Sequence, residues 1–315
     1  MKSIIVIVSV LWVASASLAQ TNAAPVQASA QSAAPQSQSG ASNPAPGNPQ
    51  TPPPNSGHQM LQPKSPAEYQ AYLDANSKTD VVQAEAAAND FAAKYPDSEL
   101  RTALYQRVMN LYAHANNTDK VIDLGRKAIA ADPTNPIPLV QVASAIAEST
   151  RDTDLDRQQR LTEAAKDAQA AIDNINTGLL VPANADPARV EGAKHSILTM
   201  AYDTLGMVDL DRDDYASAEQ HLQKAIAENA ANPEPVLYLR LSVAQDKLKQ
   251  YQQALDSANK AVQYARPGTA VQSLAKQQQE RLQKLIGGQP PAGSTAAPDA
   301  QPKQAPTPNA TSSPQ

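Results

Sequence analysis

Between Tyr202 and Ile226 the chain alternates large and small residues at helical intervals. Tyr202 and Leu205 are bulky, and Gly206 leaves a gap beside them. Tyr215 caps a short polar turn, and Ala218 and Ala225 thin one face of the segment that follows. Two helix axes approach closely only where a knob on one meets a hole on the other. The stretch therefore predicts two antiparallel helices packed across a turn. A lone hairpin cannot bury its own apolar face, so the pattern demands neighbours built the same way.

Such neighbours are present. From Thr102, Tyr105, Val108, Met109 and Tyr112 take the first-helix positions, then Val121, Gly125 and Ala128 the second-helix positions, and Pro133 ends the unit. Leu139, Val142, Ala143 and Ile146 open another pair, with Ala164, Ala168 and Ala171 on its return helix. From Pro235, Tyr238, Leu241 and Ser242 are followed by Tyr251, Ala254, Ala258 and Ala261. Upstream, Ala84, Ala88 and Phe91, closed by Pro96, supply the second helix of a divergent first unit. Pro96-Asp-Ser, Asp132-Pro-Thr-Asn-Pro and Asn232-Pro-Glu-Pro stop second helices, and Asp, Ser or Asn is at hand to start the next.

This recurrence resembles the tetratricopeptide repeat (TPR), whose period of about 34 residues carries large–Leu–Gly, then Ala, then Pro at set offsets. The ending Lys-Tyr-Pro-Asp-Ser resembles repeats of bacterial cell-envelope proteins. The resemblance spans roughly residues 66–286. It implies an all-α fold: a right-handed α-solenoid of about four helix-turn-helix repeats, the first only half matched. After Gly268, Val271, Leu274, Ala275, Gln278, Leu282 and Leu285 share one face of a segment whose other face is Lys, Gln, Glu and Arg. One face to seal the last repeat and one to meet water is what a capping helix needs.

The flanks differ in kind. Met1-Lys2, an apolar stretch over 4–14 and Ser17-Leu-Ala19 read as a cleavable signal peptide over 1–19, an uncleaved membrane anchor being the alternative. Residues 20–65 form a Pro/Ala/Ser/Gln-rich linker in which Lys64 is the one charged side chain, and 287–315 form a similar tail with Asp299 and Lys303. Both lack the apolar surface to offset chain entropy and are expected to be disordered. No cysteine occurs, which removes disulfides, thiol chemistry and attachment of a lipid to a mature N-terminal cysteine. These features together point to an exported protein, periplasmic or secreted, with no transmembrane helix once the signal is removed. The net charge of −5 comes without a basic stripe, which argues against nucleic acid as a ligand.

The residues give little chemistry to an enzyme. His58, His114, His195 and His221 are scattered without metal-site spacing, and neither a Gly-x-Ser-x-Gly elbow nor a glycine-rich phosphate loop is present. No cofactor or metal is expected. Asp152, Asp154, Asp156 and Glu163 nearly match a calcium-loop spacing, but Arg157 stands where glycine is required, so a polar turn or helix start is the reading. Insertions at 152–160 and 174–187 interrupt the period; Leu179, Leu180 and Val181 make the second apolar enough to fold back on the helices or to cover part of a groove.

What the resemblance implies about binding is a concave groove lined by first helices. On this chain the lining positions are Gln106, Arg107, Asn110 and His114; Val140, Gln141, Ser144 and Glu148; Met200, Asp203, Thr204, Met207 and Asp211; and Leu239, Arg240, Val243 and Lys247. Arg107 and Asn110 fit part of a carboxylate-clamp pattern, from which Gln141 and Ser144 depart. The expected function is a non-catalytic protein-interaction or scaffold module of the bacterial envelope, holding a protein or peptide segment in that groove. A self-assembling structural protein and an enzyme built on the repeats are the alternatives.

Overall fold

The computed structural model describes residues 61–182 and 185–287. The signal peptide at 1–19, the linker up to residue 60 and the tail beyond residue 287 lie outside the described residues. The helices run α1 Pro66–Asn76, α2 Val81–Lys94, α3 Leu100–His114, α4 Thr118–Ala131, α5 Pro136–Ser149 and α6 Arg157–Asp173. They continue as α7 Pro187–Asp211, α8 Tyr215–Glu228, α9 Pro235–Lys247, α10 Tyr251–Tyr264 and α11 Ala270–Gly287. Among the described residues the only extended pairing is an isolated bridge at Leu180.

Local chemistry sets the helix ends. Pro occupies the first turn of α1, α5, α7 and α9, where its missing N–H costs nothing. Asp80, Asn117, Asn135, Asp186 and Asp214 each accept a backbone N–H at the start of α2, α4, α5, α7 and α8. The α3–α4, α7–α8 and α9–α10 turns repeat one geometry. Asn116, Asp213 and Lys249 sit at φ 54°, 60° and 62°. The following N–H, of Asn117, Asp214 and Gln250, returns to the carbonyl of Tyr112, Asp209 and Gln245 at 2.9–3.0 Å. That pairing ends a helix with a left-handed residue and satisfies a carbonyl otherwise left over.

Helices pair in order as α1/α2, α3/α4, α5/α6, α7/α8 and α9/α10, with α11 closing the last pair. Among the described residues there are thus five helix pairs, where about four repeats were expected. In the first, Tyr72 on α1 meets Phe91 on α2 edge to face at 6.4 Å, beside the buried Ala75, Ala84 and Ala88. Elsewhere the interlock is as the spacing requires, and it is inverted between units. In α3/α4 the hole is Gly125, where an added Cβ would stand 3.0 Å from the Met109 sulfur and 2.1 Å from Val142 Cγ2 of α5. At the corresponding positions of α7/α8 the hole is Gly206 and the knob is Leu222, whose Cγ would stand 2.7 Å from such a Cβ. Either arrangement fills the same space.

First helices also pack on the first helix of the next unit at α1/α3, α5/α7 and α7/α9, though not at α3/α5, while nothing comparable joins α6 to α8 or α8 to α10. The array therefore closes up on its first-helix side, which becomes the inner face. The result is an all-α solenoid of helix-turn-helix repeats with a C-terminal capping helix. Two departures bear on the inner face. α7 is 25 residues long against 14 for α8. The segment before it packs inward: Ile175 and Leu179 are buried in one cluster with Leu139, Val140, Ile197 and Ala201. Of the two readings of the 174–187 insertion, the part up to residue 182 folds back onto the helices.

Candidate functional site

The inner face carries most of its charge at the centre, between α5, α7 and α9. Arg240 on α9 pairs with Asp203 on α7, the guanidinium Nη1 donating to Oδ2, and both side chains are largely withdrawn from solvent. The other oxygen of Asp203, Oδ1, is buried and no protein donor reaches it. Glu148 on α5 lies close enough to feel both partners. Burial pushes its carboxyl up to about 7, with Asp203 adding to the rise and Arg240 and the Ser144 hydroxyl opposing it. Glu234, which leads into α9, is raised mainly by burial and then by Asp203, while Asn229 donates to it at 2.7 Å. Asp211, at the end of α7, is raised by burial against the pull of Arg157, which lies 3.7 Å from its carboxylate and also bonds its backbone carbonyl.

Of the residues expected to line the groove, the structure gathers Glu148, Asp203, Asp211 and Arg240 into this one electrostatic neighbourhood. Gln141 and Asn110 approach each other at 3.5 Å, and Gln141 Oε1 is a second buried oxygen without a protein donor. Gln106, Met200, Met207 and Val243 are partly exposed. Arg107 is also partly exposed, but its guanidinium is engaged on the Lys78 carbonyl at 2.6 Å, where it closes the α1–α2 turn. His114 is exposed at the end of α3, and Lys247 reaches over the Tyr215 ring at 5.7 Å from its centroid.

Three of the expected lining positions present no surface. Thr204 is fully buried with its hydroxyl donating to the Met200 carbonyl, and Val140 and Leu239 are 2% and 1% exposed. Val140 is covered by the inserted segment and α7, and Leu239 by α10 and α11, so packing turns those positions away from the groove. Arg240 is 9% exposed, its guanidinium paired with Asp203.

Two participants were missed in the sequence. Glu234 stands between Pro233 and Pro235 and reads there as punctuation. Arg157 reads as the residue that spoils a calcium loop, yet it holds Asp152 at 3.3 Å and Asp211 across the α7 terminus. Besides Asp152, two more acids of that loop are committed within the protein: Asp154 accepts the Arg151 N–H at 2.9 Å, and Glu163 takes two bonds from Arg126 at 2.7 and 2.8 Å. Among the described residues no group of three His, Cys, Asp or Glu is arranged to hold a metal ion, and no helix is long and apolar enough to cross a membrane. His195 pairs with Glu228 at 2.7 Å and His221 with Asp209 at 2.6 Å, on opposite ends of α7.

No protein-family model matches the chain. No curated protein matches it in sequence either. Among solved structures the chain is similar to MamA, at 18% identity and a TM-score of 0.38 over 59% of this chain and 88% of that one. It is similar to pilF of Pseudomonas aeruginosa, at 17% identity and 0.42 over 71% and 92%. It is also similar to YrrB, described as a TPR protein with an unusual peptide-binding site, at 11% identity and 0.26 over 60% and 97%. On the helix pairing and turn geometry of the described residues themselves, the fold is an α-solenoid of helix-turn-helix repeats.

Proposed function

We propose that the protein is a non-catalytic interaction module that holds an extended segment or helix of another protein along the inner face of α3, α5, α7 and α9. The observation that carries this reading is the buried charge at the centre of that face. Polar groups withdrawn from water are normally fully paired. Here the Arg240–Asp203 pair and the raised carboxyl of Glu148 stand on that face, and Asp203 Oδ1 and Gln141 Oε1, enclosed beneath it, are without a protein donor. Helical repeats of this kind offer an elongated surface in place of a deep apolar pocket, which suits a polypeptide better than a metabolite. The setting proposed is the cell envelope of a bacterium, supported by the Lys2, apolar 4–14 and Ser17-Leu-Ala19 sequence and by the lack of cysteine.

Site-specific photo-crosslinking in cells tests the surface directly. A photoreactive residue at Gln106 or Met207 is expected to trap a discrete protein adduct, while the same residue at Asp123 on α4 or Gln252 on α10 traps none. Adducts that form at Asp123 and Gln252 but not at Gln106 and Met207 would move the binding surface to the outer helices and refute the proposal.

A further inference from the structure

The two ends of the array are finished differently. At one end α11 leaves Lys276, Gln277, Glu280 and Lys284 exposed, the polar outer face that closes a stack of repeats. At the other, no helix precedes α1 among the described residues. Six large hydrophobic side chains are exposed there and elsewhere among those residues, and three fall in this first pair. They are Tyr69 and Leu73 on α1, each 39%, and Val82 on α2, 65%. The others, Leu155, Tyr264 and Leu285, lie in separate elements. Tyr69 and Leu73 are one turn apart and share a side of α1, where the Tyr69 ring stacks on Tyr72 at 6.5 Å with 17° between the planes.

Charge and reach together choose what covers this side. α1 carries Glu68 and the exposed Asp74 and no cation, so a second copy laid against it would set like charges together. Residues 20–60 contain no Asp, Glu, Lys or Arg, and they include Pro52-Pro53-Pro54. The chain enters the fold at this unit. Leu61 packs against the first core cluster, and Lys64 is held there by its Nζ on the Asp97 carbonyl at 2.6 Å. From Pro54 to Leu61 is seven residues, a reach of up to roughly 23 Å. The 11 residues of α1 make a helix only about 16 Å long, so the proline run can reach any turn of it.

Proline runs favour an extended conformation without internal hydrogen bonds, and they dock on aromatic surfaces at little entropic cost. Two tyrosine rings and a leucine are a small surface that a separate peptide would hold weakly. A short tether supplies an effective concentration on the order of millimolar, enough to populate a weak contact. We propose that Pro52-Pro53-Pro54 folds back on α1 and covers Tyr69 and Leu73, so that the chain's own arm closes this end of the array.

The chain has no cysteine, so spin labels can be placed on it singly or in pairs. With Thr51→Cys and the exposed Asp90→Cys on α2, double electron–electron resonance on the full chain is expected to give one narrow distance. Tyr69→Ser combined with Leu73→Ser is expected to spread it over roughly 17 Å, the end-to-end size of ten residues of free chain. Tyr69→Phe, which keeps the ring, leaves it narrow. Pro53→Asp lies outside the helices and sets a charge against Asp74; it is expected to spread the distance equally, and it decides the matter if circular dichroism shows the serine variant to have lost helix. A broad distribution in the parent, or a narrow one that Pro53→Asp leaves unchanged, overturns the proposal. A distance measured between chains labelled at Thr51→Cys alone identifies a second copy as the occupant and overturns it too.

Discussion

One methyl group distinguishes two kinds of close packing in this chain. A Cβ at Gly206 would lie 2.7 Å from Leu222 Cγ, the branch point of a fully buried side chain that has to shift to make room. A Cβ at Gly178 would lie 1.8 Å from the Thr134 carbonyl oxygen, which is backbone and cannot. Adding it would lift the inserted segment off the α4–α5 turn and carry Leu179, 1% exposed, out of the core. Gly178→Ala is therefore expected to destabilise by about 2–4 kcal/mol. Gly206→Ala should also destabilise, but by less, since the clash is with a side chain and the better helix propensity of alanine returns about 1 kcal/mol. Urea denaturation of the two variants checks the order; a milder effect at Gly178 would mean the insertion is not held against Thr134.

α6 has a different tension built into it. Its apolar stripe of Leu161, Ala164, Ala168 and Ala171 is fully buried, and Asp167, 9% exposed, shares that side of the helix. Burial, with Glu163 adding to it, pushes the Asp167 carboxyl from its ordinary 3.8 to about 6. A carboxyl raised on folding favours the folded state when protonated. That contribution is complete below 3.8 and is lost as the pH rises through about 6, at a cost of up to roughly 3 kcal/mol. Asp167→Asn removes the charge and so should be more stable than the parent at about pH 8, the gain shrinking to nothing near the unfolded pKa. Urea melts at the two ends of that range decide it: an Asn variant with no advantage at high pH would show that Asp167 is solvated. The turns between helices are more uniform, since Asn116, Asp213 and Lys249 take the same left-handed conformation without glycine. Helix starts, turns and the Tyr202–Gly206 spacing were all readable along the chain, because each depends on residues within a turn or two of one another.

In the assembled array each pair lends its neighbour the contact it lacks, and α11 does this for the end. Leu282 is fully buried in a cluster with Ala254 and Ala258, Ala275 lies with Leu239 and Ala261, and Arg281 pairs with Asp246 at the end of α9. Leu282→Ala should cost about 2–5 kcal/mol. Because coupling in such an array runs between neighbours, the loss is expected to be local. Hydrogen exchange should quicken in α9, α10 and α11 while α3 and α4 keep their protection. An equal rise in α3 would show that the stack opens as one block.

The amino-acid order determined the repeat: large and small residues at helical spacing fix which two helices pair, and prolines and capping side chains fix where they end, all within short separations. Even the first unit, with half its pattern missing, was marked by Ala84, Ala88 and Phe91. Which charges meet on the inner face was decided only when the pairs stacked. Thr204 and Asp203 are adjacent in the chain, yet one is sealed by packing and the other joins Glu148 and Arg240 from separate units. Neighbouring positions on a helix point about 100° apart, so a small rotation between units changes which one faces the groove. That rotation is a property of the packed stack, and no single hairpin's spelling contains it.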